Sequence, residues 1–160
     1  MGEDDLGGQP LRSFREQTLY RLLLRARRAE NDEMVARIRA RGYPDLQPSY
    51  PALLANLDTG GTSITALAGK AGVTRQAASQ QLAEIEAKGY VERQPHPTDG
   101  RTVIVRRTPR GESLLRDALA VVSDLEAEYA ELLGQHQLAS LKNELSHLLD
   151  YIDPGGRLDS

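Results

Sequence analysis

A chain of 160 residues with 39% hydrophobic content is long enough for one folded domain with a buried core, and the absence of cysteine excludes disulfides, thiolate zinc sites and thiol redox switches. There is neither a basic start followed by an apolar leader nor an apolar run long enough to span a bilayer, so the expected location is the cytoplasm, without membrane attachment. The net charge of −3 is uneven: residues 70–110 hold eight Lys and Arg against four Asp and Glu, and residues 111–160 hold three against ten, a basic head on an acidic frame that turns towards phosphate.

Residues 1–10 are rich in Gly and Asp and are expected to be a disordered tail. From about Leu11 to about Arg41, the apolar residues Leu11, Phe14, Leu19, Leu22, Leu23, Ala26, Ala29, Met34 and Ile38 keep to one broad stripe, which predicts a long helix stopped by Gly42 and Pro44. The arginines crowding its other faces, among them Arg15, Arg21, Arg25 and Arg28, read as a solvated surface or as partners for the acidic C-terminal helices. A short buried helix is expected over 48–57 from Leu53, Leu54 and Leu57, with Pro51 suited to its first turn, followed by an Asp58-Thr59-Gly60-Gly61 loop.

Two further helices follow. Ser63 can cap the first, Leu67, Ala68 and Ala71 supply its inner side, and Gly72 offers the left-handed conformation that ends helices. Val73 is expected to pack in the corner and Thr74 to cap the second helix, although Ala66 and Ala77 stand where a capping box would place Glu or Gln. Over 74–88, Ala78, Leu82 and Ile85 recur at helical spacing while Arg75, Gln76, Ser79 and Gln80 point away from them. That outer face carries a guanidinium, two amides and a hydroxyl, with no acid before Glu84. Such groups match the donor and acceptor patterns of base edges in the major groove, whereas an ordinary solvated face is built from Glu and Lys. Small Ala68 facing Ala78 allows the close crossing of a helix-turn-helix.

Lys88-Gly89 is the next helix stop. Tyr90 to Gln94, a Pro-His-Pro-Thr-Asp-Gly-Arg loop and the β-rich run Thr102–Val105 predict a hairpin turning at Asp99-Gly100, with Pro95 and Pro97 stiffening the loop. Thr108 can then cap a helix with Pro109 at its first position, in which Leu114, Leu115, Ala118, Val121, Val122, Leu125, Tyr129, Leu132 and Leu133 form an apolar seam up to Gly134. A last helix carries Leu138, Leu141, Leu145, Leu148, Leu149 and Ile152. A winged core is too small to bury all of this, and a symmetric dimer is the economical answer.

Ser63-x-x-x-Leu67-Ala68, Gly72-Val73-Thr74, Leu82 and Ile85 before Gly89-Tyr90-Val91, then Asp99-Gly100-Arg101 and Thr108-Pro109-Arg110-Gly111, resemble the winged-helix core of the MarR family of bacterial regulators. One departure from the general helix-turn-helix pattern is Gln81, where many such motifs place an apolar residue that Leu82 here supplies one position later. The resemblance implies a mainly α fold with a small β-hairpin: a winged helix-turn-helix core over 47–108 flanked by dimerisation helices over 11–41 and 109–152, in a single domain spanning 11–160. It also implies a homodimeric transcriptional regulator, expected as a repressor, that binds a pseudo-palindromic operator in double-stranded DNA. The alternative is a winged helix that binds protein instead; an acidic or apolar outer face over 74–88 would favour it, and Arg75, Gln76, Ser79 and Gln80 do not.

The expected division of labour is major-groove reading by Arg75, Gln76, Ser79 and Gln80, with backbone or wing contacts from Ser63, Thr74, Lys88, Arg93, His96, Arg101 and Arg106. Asp99 and Gly100 are expected to shape the wing and aim Arg101 at a minor groove or phosphate; the bland reading of Asp99 with Arg101 is a stiffening salt bridge. Family members commonly release DNA on binding a small aromatic or anionic effector, which here would meet Arg15, Tyr20 or Tyr50 where the first helix, the 48–57 helix and the helix after Pro109 join, unless that junction is simply a filled core. Catalysis, cofactors and a metal centre are not expected, because His96, His136 and His147 are scattered and no paired carboxylates, Gly-rich phosphate loop or nucleophile elbow accompany them.

Overall fold

The computed structural model describes residues 5–6, 9–10, 17–96 and 102–154. In chain order the elements are β1 (Asp5–Leu6), β2 (Gln9–Pro10), α1 (Leu19–Ala40), α2 (Pro51–Leu54), β3 (Thr62–Ser63), α3 (Ile64–Ala71), α4 (Arg75–Ala87), β4 (Val91–Pro95), β5 (Val103–Arg107), α5 (Pro109–Leu133) and α6 (Gln135–Ile152). The chain divides into two compact units, Met1–Ala118 and Leu119–Ser160, with the boundary inside α5. No described helix is long and apolar enough to cross a membrane.

Several elements depart from their predicted extent. β1 and β2 pair antiparallel where a tail without structure is expected; a two-residue ladder is made by backbone groups, so composition does not announce it. α1 begins at Leu19, because Thr18 is extended and its hydroxyl accepts from the Arg21 N–H at 3.4 Å, a side-chain cap that opens this helix. Residues 11–16 lie outside the described residues. Of α1 only Val35 and Ile38 are buried, while Leu19, Leu22 and Leu23 of the predicted stripe stay exposed.

α2 holds four residues and not ten, since Asn56 N–H bonds back to Leu53 at 3.1 Å and Leu57 N–H to Leu54 at 3.4 Å, tightening the chain into turns. Pro51 does occupy its first turn, and Leu53 and Leu57 are buried.

β3 is a further element the sequence does not announce. It pairs antiparallel with β5, so the hairpin is part of a three-stranded sheet ordered β3-β5-β4. The reason is local: an N-cap residue takes β-region angles, and Ser63 at φ −68, ψ 150 serves as cap of α3 and edge of the sheet at once. The β4–β5 register runs from Val91 opposite Arg107 to Pro95 opposite Val103, and His96 N–H extends the ladder to Thr102 O at 2.8 Å. The predicted turn at Asp99-Gly100 lies outside the described residues.

The core of the first unit gathers Leu46, Tyr50, Leu53 and Leu57 with Leu67, Ala68, Ala78, Leu82, Ile85, Tyr90, Val91, Ile104 and Val105, all buried. In the second unit Val121 and Leu125 are buried, but no residue of α6 is.

Candidate nucleic-acid interface

The helix pair α3 and α4 is built from its caps inward. Ser63 Oγ accepts from Ala66 N–H at 3.2 Å to open α3, Gly72 closes it at φ +66, and Thr74 Oγ1 accepts from Ala77 N–H at 3.1 Å to open α4. With its start fixed, the 3.6-residue period puts Ala78, Leu82 and Ile85 in the core, none of them exposed. Arg75, Gln76 and Gln80 are exposed and Ser79 is half-exposed, as the predicted outer face requires. Gln81 is half-buried beside fully buried Leu82, so the one-position offset is absorbed without moving the outer face. Val73 is 38% exposed and does not fill the corner; Gly72 directs the chain outward there.

Between α3, the start of α4 and the two wing strands lies an open cleft of about 590 Å³, lined among others by Ser63, Thr65, Arg75, Arg93, Gln94 and Thr102. Ser63, Arg75 and Arg93 of the predicted residues thus meet at one place. Sequence reasoning misses Thr65, Gln94 and Thr102; the available signal is their placement, two residues beyond Ser63 in the first turn of a helix and on the two wing strands near the hairpin end.

Two predicted phosphate ligands have internal partners. Arg93 donates from a terminal guanidinium nitrogen to Ser79 O at 3.1 Å, its backbone N–H donates to Glu86 at 3.1 Å, and its Nε lies 3.2 Å from the same carboxylate in ion-pair but not hydrogen-bond geometry. It therefore ties the wing to the backbone of α4. Arg106 donates from Nε to Gly60 O at 3.0 Å, holding the loop before β3. Lys88 and Thr74 are exposed at the two ends of α4, and His96 is half-exposed at the end of β4. Asp99, Gly100 and Arg101 lie outside the described residues.

The last turn of α4 is locked to the first turn of α5. Thr108 Oγ1 donates to Gly89 O at 2.5 Å and accepts from Gly111 N–H at 3.1 Å, while Thr108 N–H donates to Tyr90 O at 3.1 Å. A Cβ on Gly111 would stand 2.0 Å from Tyr90 O, so this turn closes only around glycine. That is the physical content of Thr-Pro-Arg-Gly. Beside it the Tyr90 hydroxyl donates to Asp45, and Arg110 donates to both Asp45 carboxylate oxygens at 3.1 and 3.2 Å. Burial alone would raise the Asp45 carboxyl, but the Tyr90 hydrogen bond and the Arg110 charge outweigh it and hold the group below its ordinary 3.8. Burial first and the Asp45 hydrogen bond second push Tyr90 up to about 12.

The predicted effector residues that the structure describes differ in exposure. Tyr20 is 73% exposed, and it precedes by roughly 16 Å of helix axis the point where Asn31 Nδ2 donates to Pro48 O at 3.0 Å. Tyr50 is buried in the core. Arg15 lies outside the described residues. Among the described residues no group of three or more His, Asp or Glu stands together as metal ligands.

The MarR family pattern matches residues 45–102. The transcriptional regulator HosA of Escherichia coli O111:H- is 32% identical over 96 residues, covering 59% of this chain and 71% of HosA. An uncharacterized HTH-type transcriptional regulator of Mycobacterium leprae (strain TN), ML2140, is 28% identical over 102 residues, covering 64% and 71% respectively. Among solved structures, the transcriptional repressor CouR bound to a 23-mer DNA duplex is similar at a TM-score of 0.69 and 25% identity, over 83% of this chain and 93% of CouR. CouR bound to p-coumaroyl-CoA gives a TM-score of 0.67 at 24% identity, over 83% and 92%. The winged core, the matching family pattern and these relatives together show that the chain belongs to the MarR family and is a DNA-binding transcriptional regulator, not an enzyme.

Proposed function

We propose that the protein is a homodimeric repressor of a pseudo-palindromic operator, with α4 of each protomer in a major groove and each wing on the flanking backbone. The observation that carries this is the outer face of α4: Arg75, Gln76 and Gln80 are exposed, no acid precedes Glu84, and the cleft beside them is lined by Ser63, Thr65 and Arg93. In this reading Arg75, Gln76, Ser79 and Gln80 read bases, and Ser63, Thr74, Lys88, His96 and Arg101 hold phosphate or a neighbouring groove. Arg93 and Arg106 serve first to hold the wing, given their bonds to Ser79 O and Gly60 O. Two-fold symmetry would place half-sites about 10 base pairs apart, centre to centre.

The test is Gln80→Ala against Arg101→Ala, titrated at several salt concentrations on a selected operator and on random duplex. Gln80→Ala should cost on the order of 1–3 kcal/mol on the operator alone and leave the salt slope unchanged. Arg101→Ala should weaken both duplexes alike and lower the slope by about one unit. The same loss of selectivity with the same slope in both variants would refute the division. Control by a small anionic or aromatic effector belongs to this reading, supported by CouR having been solved both on DNA and with p-coumaroyl-CoA. Operator affinity and thermal stability that stay flat across p-coumaroyl-CoA and salicylate would count against these two classes of effector.

A further inference from the structure

Three segments distant in sequence meet where α4 ends and α5 begins. The Tyr90 hydroxyl donates to Asp45 and accepts from Arg110 at 3.1 Å, and Arg110 closes the ring by donating to the Asp45 carboxylate. The Arg110 guanidinium also lies 4.5 Å from the Tyr90 ring centroid, and its other terminal nitrogen donates to Lys88 O at 2.9 Å. Lys88 caps α4 and Tyr90 leads into β4, so the cluster grips the last turn of the helix whose outer face carries Arg75, Gln76 and Gln80.

The rest of the hold on the body of α4 is chiefly apolar, through Ala78, Leu82 and Ile85. Apolar burial has no direction, and Ala78 has almost no side chain to interlock, so this stripe sets which face is buried but specifies rotation and slide of the helix weakly. Hydrogen bonds and ion pairs do have direction. Base reading needs its side chains placed to within roughly 0.5 Å. Elsewhere on α4, directional contacts come from Arg93, whose guanidinium donates to Ser79 O and whose backbone N–H donates to Glu86, and from the Tyr50–Glu84 side-chain hydrogen bond.

We propose that Asp45, Tyr90 and Arg110 are positioning residues, which hold α4 at the pitch that base reading requires, so that sequence preference as well as stability depends on the Tyr90 hydroxyl. The inference rests on the reading of α4 as the base-contacting helix. Tyr90→Phe keeps the ring and its stacking under Arg110 and removes only the hydroxyl; Asp45→Asn keeps size and an acceptor while removing the charge.

The experiment takes the duplex that the unaltered full-length protein selects from a randomised pool and measures, by competition against random duplex, a selectivity ratio for each variant. Val121→Ala, a core truncation at a buried residue of the second unit that makes none of these contacts, is the stability control. Tyr90→Phe should lower the ratio about tenfold, the scale of losing a hydrogen bond to a charged group, with random-duplex affinity and salt slope unchanged. Asp45→Asn should lower it by less, and Val121→Ala should reduce the melting temperature but keep the ratio. An unaltered ratio for Tyr90→Phe, or an equal fall for Val121→Ala, overturns the proposal; should Tyr90→Phe fail to fold, Asp45→Asn is held to the same outcomes. If the unaltered protein selects no duplex, base reading itself fails and this inference with it. If it selects one that Tyr90→Phe reads equally well, only the inference fails.

Discussion

At the scale of single residues, the corner around Tyr90 makes stability depend on pH at both extremes. The unfolded chain releases the tyrosine proton near 10.0, whereas the folded chain holds it to about 12. The stabilisation tied to that proton is therefore whole below pH 10 and is lost as pH rises through about 12. Urea midpoints should fall across this window, and Tyr90→Phe should make the fall shallower without abolishing it, because Tyr43 and Tyr50 are raised too, each by burial first. Equal slopes for the two proteins would contradict the assignment. Asp45 and Asp58 act at the acid end: both carboxyls lie below 3.8 in the folded chain, Asp58 chiefly through its hydrogen bond from Lys70. Their contribution is complete above that value and is lost as pH falls below it, so Asp45→Asn should flatten the acid side of the same urea profile.

At the scale of elements, two glycines in helices should respond in opposite directions. Gly111→Ala drives a Cβ against Tyr90 O at 2.0 Å, where backbone must give way, and should destabilise by roughly 1–3 kcal/mol. Gly69→Ala, in α3 with nothing within 4 Å of the added Cβ, should stabilise by about 0.4–1 kcal/mol. Urea unfolding of the pair checks the packing of the α4–α5 corner, and a neutral Gly111→Ala would mean that the corner is looser than described. The caps allow a third measurement: Thr74→Ala removes the acceptor for Ala77 N–H and should cost about 1 kcal/mol. Caps are legible in sequence because Ser and Thr do their work within three residues; β3 is not, because its partner β5 lies some forty residues away.

At the scale of the whole molecule, the exposed apolar surface supports the proposed dimer. Leu132 is 80% and Tyr151 84% exposed, Leu141, Leu149 and Ile152 accompany them, and Leu19, Leu22 and Leu23 are uncovered on α1. Soluble monomers rarely leave so much apolar surface in contact with water. Light scattering should give twice the 17.6 kDa of the chain, and Leu132→Glu with Leu149→Glu should shift the mass towards that of one chain while abolishing operator binding. A folded, soluble monomer of the unaltered protein at micromolar concentration would refute the dimer.

What the sequence by itself determined was everything that rests on short-range spacing: the stripe of Ala78, Leu82 and Ile85, the outward set Arg75, Gln76 and Gln80, the caps Ser63 and Thr74, the stop at Gly72 and the strand pair around the wing. These follow from 3.6- and 2-residue periods and from side chains bonding to their own backbone. Only the tertiary structure decided what each charged or polar side chain does once neighbours arrive. Arg93 and Arg106 read in sequence as backbone or wing contacts, and the fold gives each a backbone carbonyl to hold; Tyr50 reads as an effector residue or part of a filled core, and its side chain is buried; Asp45, which no pattern marks, meets Tyr90 and Arg110 across 45 and 65 residues of chain. Periodicity reports which way a residue faces, but a hydrogen-bond partner brought in by the fold leaves no local trace in the order of the amino acids.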